Sequence, residues 1–281
     1  MSRYSFSGHE SFHCKSLWLK KGYDFLLSGG KFTDADSVVK FGVGKNMVAS
    51  IRFWLRAFGL SNMDDVTKIA DYLFNSDTGR DPYSEDLNTL WLLHFLLINY
   101  RVASLYNLVF VDYQRERKEF TRSELQTYIR RKCSVPEQKN VYNENTVKKD
   151  IGVLLKNYVS PKDLKNIEDF SALLIGLNLI ISKPQDTYYF REVTVKEIAP
   201  EVILFALLSL GDSEKTISLD GLQRISLIFC LPMISLIEII RSLEQLYPGA
   251  IFFSDNSGIK NVQFRIELDK FDVLDNYYNS L

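Results

Sequence analysis

Phe41 to Phe58 reads FGVGKNMVASIRFWLRAF, a glycine-punctuated turn leading into one strongly amphipathic segment. Val48, Ile51, Leu55 and Phe58 recur at helical spacing and share a face. Lys45, Ala49, Arg52 and Arg56 recur on the opposite face, a basic stripe able to lie along phosphates. Upstream, Thr33 to Phe41 (TDADSVVKF) reads as a short helix capped by Thr33 or Asp34. Helix, glycine turn and basic helix is the order of a helix-turn-helix. Pattern alone leaves a second reading open, an amphipathic core helix with an ordinary solvated face. GVGK also brings a phosphate-binding loop to mind. That loop requires a Gly five residues before its last Gly and a Ser or Thr after the Lys, and this chain has Val39 and Asn46 there.

The 281 residues suit two domains or three small ones, and 46% apolar with 13% aromatic side chains suffices for real cores. The longest uncharged apolar run, Ile225 to Ile237, is broken by Pro232 and falls short of the ~18 to 20 residues of a bilayer span. The opening MSRYSFSGHESF lacks the continuous apolar core of a secretion signal, so the expected location is the cytoplasm. Cys14, Cys133 and Cys230 are scattered, which fits a reducing compartment and gives no zinc spacing.

The overall charge of −1 hides a segregation. Residues 1–60 carry 9 basic and 4 acidic groups, residues 115–165 carry 13 and 7, and the remainder is therefore −12. Two basic segments on an acidic protein point to localised phosphate contact.

In chain order, Ser7 to Leu27 holds the first helix and also a literal H-E-x-x-H at His9, Glu10 and His13. That motif binds zinc when both histidines share a helix face. Gly8 directly before it, and His94 as the sole further histidine, make it read as accidental. Met63 to Asn75 reads as a helix, and Thr89 to Tyr113 as one long helix apolar on all sides and hence buried. Asp77, Asp81, Glu85 and Asp86 precede it. They suit the positive end of a helix, or a magnesium site in which Asp81 and Asp86 are the ligands.

The charged YQRERK at Tyr113 to Lys118 marks a domain boundary. Phe120 to Lys132 is a helix with Thr121 and Glu124 at capping-box spacing. Asn145 caps a following helix with Val147, Ile151, Leu154 and Tyr158 inside and Lys148, Lys149 and Lys156 outside, and Tyr188 to Val193 is a wing strand. Pro200 opens a third unit of helix, short strand, two helices and two strands around Asp255-Asn256-Ser257-Gly258. Its Met233 to Leu246 helix, with Ile234, Ile237 and Ile240, suits packing or dimerisation better than DNA. The expected architecture is mainly α, tandem helix-turn-helix or winged-helix units with small β wings, divided as 1–113, 114–198 and 199–281.

FSGHESF with WLKKGYDF (Phe6 to Phe25), FGVGKNMVASIRFWLRAFGL (Phe41 to Leu60) and GRDPYSEDLNTLWLLHF (Gly79 to Phe95) together resemble a bacterial family, domain of unknown function 4007. Lys15 stands where that family has Arg, a change that keeps a phosphate contact but not a bidentate one. The resemblance implies a component of DNA phosphorothioation and restriction loci. Its partners would be double-stranded DNA, a cysteine desulfurase and a PAPS-reductase-like sulfur-transfer enzyme. A member of the Ssp system is regarded as a DNA nickase. His9, Glu10, Asp81, Glu85 and Asp86 are the matching residues to test for chemistry, with no role transferred to any one of them.

Two functions follow. The first is a magnesium-dependent nicking endonuclease in which Lys15, Lys45, Asn46, Arg52, Arg56, Lys148 and Lys149 hold the duplex. The second is a non-catalytic winged-helix adaptor that reads DNA and recruits modification or restriction partners, with a homodimer contact through the C-terminal unit.

Overall fold

The computed structural model describes residues 3–161, 171–211, 215–256 and 259–281. The fold is mainly α with small antiparallel sheets. It divides into two compact units, Met1–Arg191 and Glu192–Leu281. Residues 1–113 and 114–191 thus share one unit, where the sequence suggested a boundary at YQRERK. The reason is an aromatic core that runs across that point. Phe110 packs on Tyr158 and Phe190 at 4.8 and 5.6 Å between ring centres, and Tyr113 packs on Tyr128 at 4.9 Å.

The first unit opens with α1 (Trp18–Leu27), α2 (Ser37–Phe41) and α3 (Lys45–Ala57), then a hairpin of β1 (Ser61–Asn62) and β2 (Asp65–Val66). α2 begins later than the sequence suggested, and no side chain caps it; Asp34 instead accepts the Lys31 N–H at 3.0 Å in the preceding turn. Gly42 ends α2 at φ +64, a left-handed position that suits glycine. The helix expected from Met63 starts only at Lys68, because Met63 lies at φ +56 in the hairpin turn; α4 is Lys68–Phe74.

α5 (Leu87–Tyr100) is buried almost all round, with Trp91, Leu92, Leu93, Phe95 and Leu97 fully inside. The expected single helix to Tyr113 is broken. Arg101 takes φ +58, Ser104 Oγ donates to its carbonyl at 3.2 Å, and the next helical stretch departs at 102°. That stretch comprises α6 (Ser104–Asn107), a π-helical turn (Leu108–Tyr113) and α7 (Gln114–Glu116).

β3 (Glu119–Thr121), α8 (Arg122–Lys132), α9 (Glu144–Tyr158), β4 (Ile180–Lys183) and β5 (Thr187–Phe190) complete the unit, with sheet order β3-β5-β4. The Thr121–Glu124 capping box is present. α9 is capped by Asn143, whose side chain accepts the Thr146 N–H at 3.0 Å, and not by Asn145.

The second unit contains α10 (Pro200–Leu210) with Pro200 in the first turn, β6 (Thr216–Ile217), α11 (Leu219–Ile228) and α12 (Met233–Leu246). β7 (Ile251–Asn256), β8 (Ile259–Phe264) and α13 (Lys270–Tyr278) follow. Its sheet order is β6-β8-β7. Ser257 and Gly258 of the expected turn lie outside the described residues. Among the described residues no single helix is long and apolar enough to cross a membrane.

Candidate nucleic-acid interface

α3 buries Val48, Ile51, Trp54 and Leu55, and the helix ends on buried Phe58. This is the apolar stripe read from the sequence, with Trp54 added to it. Lys45, Asn46, Ala49 and Arg56 are exposed on the other side. Arg52 is half-buried and spans 3.4 Å to Asp64 of the hairpin, so one of the four stripe residues is already spent on an internal ion pair. On α9, Val147, Ile151, Leu154 and Tyr158 are buried, whereas Lys148 and Lys149 are exposed. Lys15 is half-buried, bridges Ala172 through the backbone and sets its ammonium 5.8 Å from the Trp18 ring centre.

Ser7 to Cys14 runs between these two helices. His9 and His13 do not share a helix face, because the H-E-x-x-H segment is a loop. Ser7, Gly8, Glu10 and Ser11 all take positive φ, at +70, +99, +48 and +65. Non-glycine residues held there require surroundings that over-determine the backbone, and those surroundings are visible. A Cβ on Gly8 would come 2.6 Å from the Phe53 ring. His9 stacks on Trp54 at 5.9 Å with 14° between planes. The Trp54 Nε1–H donates to Phe12 O at 3.2 Å.

From the opposite side, Asp150 Oδ2 accepts the Ser7 N–H at 2.8 Å, and Asp150 Oδ1 lies 3.0 Å from His9 Nε2. The latter is a close approach without alignment, since Oδ1 has no in-line donor among the described residues. His9 Nδ1 accepts the Ser11 N–H at 3.1 Å, so the ring proton belongs on Nε2, facing Asp150. Two helical turns further, Asn157 accepts the Cys14 N–H at 3.1 Å and donates to Tyr106 OH at 2.6 Å. Burial pushes the Cys14 thiol and the Tyr106 phenol well above their ordinary values. His9 Nδ1 is therefore engaged and Nε2 faces the Asp150 carboxylate, and Glu10 is left exposed at the loop's outer edge. His94, the other histidine considered, sits in the core with Nδ1 2.7 Å from Tyr158 OH.

The acidic cluster before α5 is built from local turns. Asp81 Oδ1 accepts the Glu85 N–H at 3.0 Å and its Oδ2 accepts the Asp86 N–H at 2.9 Å. Asp86 Oδ1 accepts from Asn88 and Thr89 N–H at 2.8 and 3.1 Å, which caps α5. Glu85 and Asp77 are exposed. Among the described residues no group of three His, Cys, Asp or Glu side chains is placed to hold a metal ion.

Asp150 and Asn157 escaped the sequence reading, although a signal existed. Both fall on the inner face of α9 beside Val147, Ile151, Leu154 and Tyr158, and a polar group on an apolar stripe needs a buried partner.

Over residues 6–278 the sequence matches the family described as "Protein of unknown function (DUF4007)". The chain belongs to that family. This DUF4007 chain is similar to a crystal structure of SspB at 25% identity and TM-score 0.83, with 98% of this chain and 88% of that one covered. A magnesium ion-bound crystal structure of SspB is similar at 25% identity and TM-score 0.81 over the same shares. No curated protein matches its sequence.

Proposed function

We infer that this DUF4007 chain is a DNA-binding component of a bacterial DNA phosphorothioation system. The observation that carries this is its similarity to SspB over 98% of its length. The exposed cations of α3 and α9, on two helices tied together by Ser7 to Cys14, support the DNA part. The element orders support it too. β3-α8-α9-β4-β5 and β6-α11-α12-β7-β8, with sheet orders β3-β5-β4 and β6-β8-β7, are the element orders on which we base a winged-helix reading of both units. In that scheme α9 is the recognition helix of the first unit, and the Ile234 and Ile237 face of α12 is a protein contact that suits a homodimer. The functional partners are duplex DNA, a PAPS-reductase-like sulfur-transfer enzyme and a cysteine desulfurase.

A second reading is that the chain nicks DNA so that sulfur can replace a non-bridging phosphate oxygen. The magnesium-bound SspB relative favours it. Asp81 and Asp86 do not form a ready-made magnesium site: among the described residues no third His, Cys, Asp or Glu joins them, and Asp81 Oδ1 and Oδ2 and Asp86 Oδ1 accept backbone N–H bonds that hold the start of α5. His9 is engaged in the same way. Of the five residues assigned to chemistry, Glu10 and Glu85 are the ones whose carboxylates stand exposed.

The test is direct. Purified protein should shift duplex DNA at low salt, and with magnesium it should convert supercoiled plasmid to open circles. No binding to duplex at any salt sinks the DNA reading, whereas binding without open circles leaves the adaptor and removes the nickase.

A further inference from the structure

Between the C-terminal half of α9 and the β4–β5 hairpin lies a cleft of about 430 Å³. Its floor is apolar, formed by Gly152, Leu155 and Val159. Arg122 and Lys156 stand on its wall as cations, and Asp186 stands there as an acceptor. Arg122 is held in place by its neighbours: Nε lies 3.3 Å from Asp186 Oδ2, and NH2 donates to Tyr188 OH at 3.0 Å. Tyr188 OH in turn donates to Asp186 Oδ1 at 2.6 Å.

Gly152 is the telling residue. It sits in the interior of α9, where glycine is the least favourable residue after proline. Its φ is not left-handed, and a Cβ built on it would meet nothing within 4 Å among the described residues. Neither backbone conformation nor packing asks for glycine there. What its missing side chain does is leave the floor of the cleft open.

An apolar floor flanked by two cations matches the parts of a nucleotide. The base would lie over Gly152 and Leu155, and the phosphate would face Lys156 and Arg122, the latter once it leaves Asp186 3.3 Å away. Exposed Lys148 lies one turn before Gly152 on α9. The geometry points to a seat for one unstacked nucleotide of a single DNA strand, and this rests on the DNA-binding reading above.

Gly152→Leu fills the floor and improves helix propensity, so it keeps the fold; a melting temperature equal to or above that of the wild type verifies this. The probe is a single-stranded DNA oligonucleotide bearing one 2-aminopurine, whose emission rises when the base leaves its stack. The full-length protein should raise that emission at least twofold. Gly152→Leu should abolish the rise and weaken single-strand binding about tenfold, with duplex binding, which keeps Lys148 and Lys149, falling far less. Equal emission with wild type and Gly152→Leu overturns the seat, as does a parallel loss of duplex binding. A wild-type protein that binds neither form of DNA overturns the DNA reading along with it.

Discussion

Asp150 of α9 reaches the loop at the other end of the unit's sequence, with one oxygen 2.8 Å from the Ser7 amide and the other 3.0 Å from His9 Nε2. The carboxylate is 6% exposed and the imidazole 5%, so each is the other's replacement for water. From Ser7 to Ser11 the loop they close is left-handed at four of five positions, and it has no regular structure of its own to hold it.

Asp150→Ala removes the acceptor of a buried amide and the partner of a buried ring at once. The expected loss is about 2 kcal/mol or more, the range for buried bonds to charged groups. Urea unfolding measures it. Asp150→Asn retains the size and one carbonyl acceptor and should lose clearly less. Equal stability of the alanine variant and wild type would refute the anchoring role.

Asp81 and Glu85 separate structure from chemistry within one turn. Asp81→Ala frees two amides, Glu85 and Asp86, and should lower stability by about 1 to 2 kcal/mol. Glu85→Gln touches an exposed side chain and should leave the melting curve in place within about 0.5 kcal/mol. If the chain nicks DNA through this cluster, Glu85→Gln loses plasmid nicking at full stability. If nicking is lost only in step with unfolding, the cluster is structural.

These two clusters show what local pattern can and cannot disclose. α3, the Thr121–Glu124 box and the Pro200 start depend on residues within a turn of one another, and the sequence carries them. The break at Arg101 carries no local signal because neither Gly nor Pro stands between Asn99 and Ser104; the bend comes from one left-handed residue and from tertiary packing. H-E-x-x-H has the spacing of a helical metal site, yet its backbone is set by Phe53 and Asp150, residues far away in sequence. Charge on α3 was legible, but not that Asp64 neutralises Arg52.

Alkaline pH should weaken the first unit through Tyr23. Burial, then the hydrogen bond its hydroxyl donates to Asp71 at 2.7 Å, pushes this phenol up to about 12. The unfolded chain releases that proton near pH ~10. Folding therefore retains its full benefit below pH ~10 and loses it progressively as pH rises toward 12. Urea midpoints at pH 9 and 11 should differ more in wild type than in Tyr23→Phe. An identical pH dependence in the two proteins would contradict the assignment.

DNA affinity should depend on salt in a manner that ranks the cations individually. Each phosphate neutralised contributes roughly 0.9 to the slope of log affinity against log salt. Arg56, Lys148 and Lys149 are exposed and have no ion-pair partner among the described residues, so each is free to displace a counterion. Replacing any one with Ala should reduce the slope by close to one. Arg52 must first leave Asp64, 3.4 Å away, to serve a phosphate. Arg52→Ala should therefore change the slope less than Arg56→Ala, although the two residues lie one turn apart on the same stripe. Asp64→Ala, which releases Arg52, should steepen the slope. Equilibrium binding of one duplex across a salt series decides it, and equal slopes for Arg52→Ala and Arg56→Ala would show that the ion pair does not persist in solution.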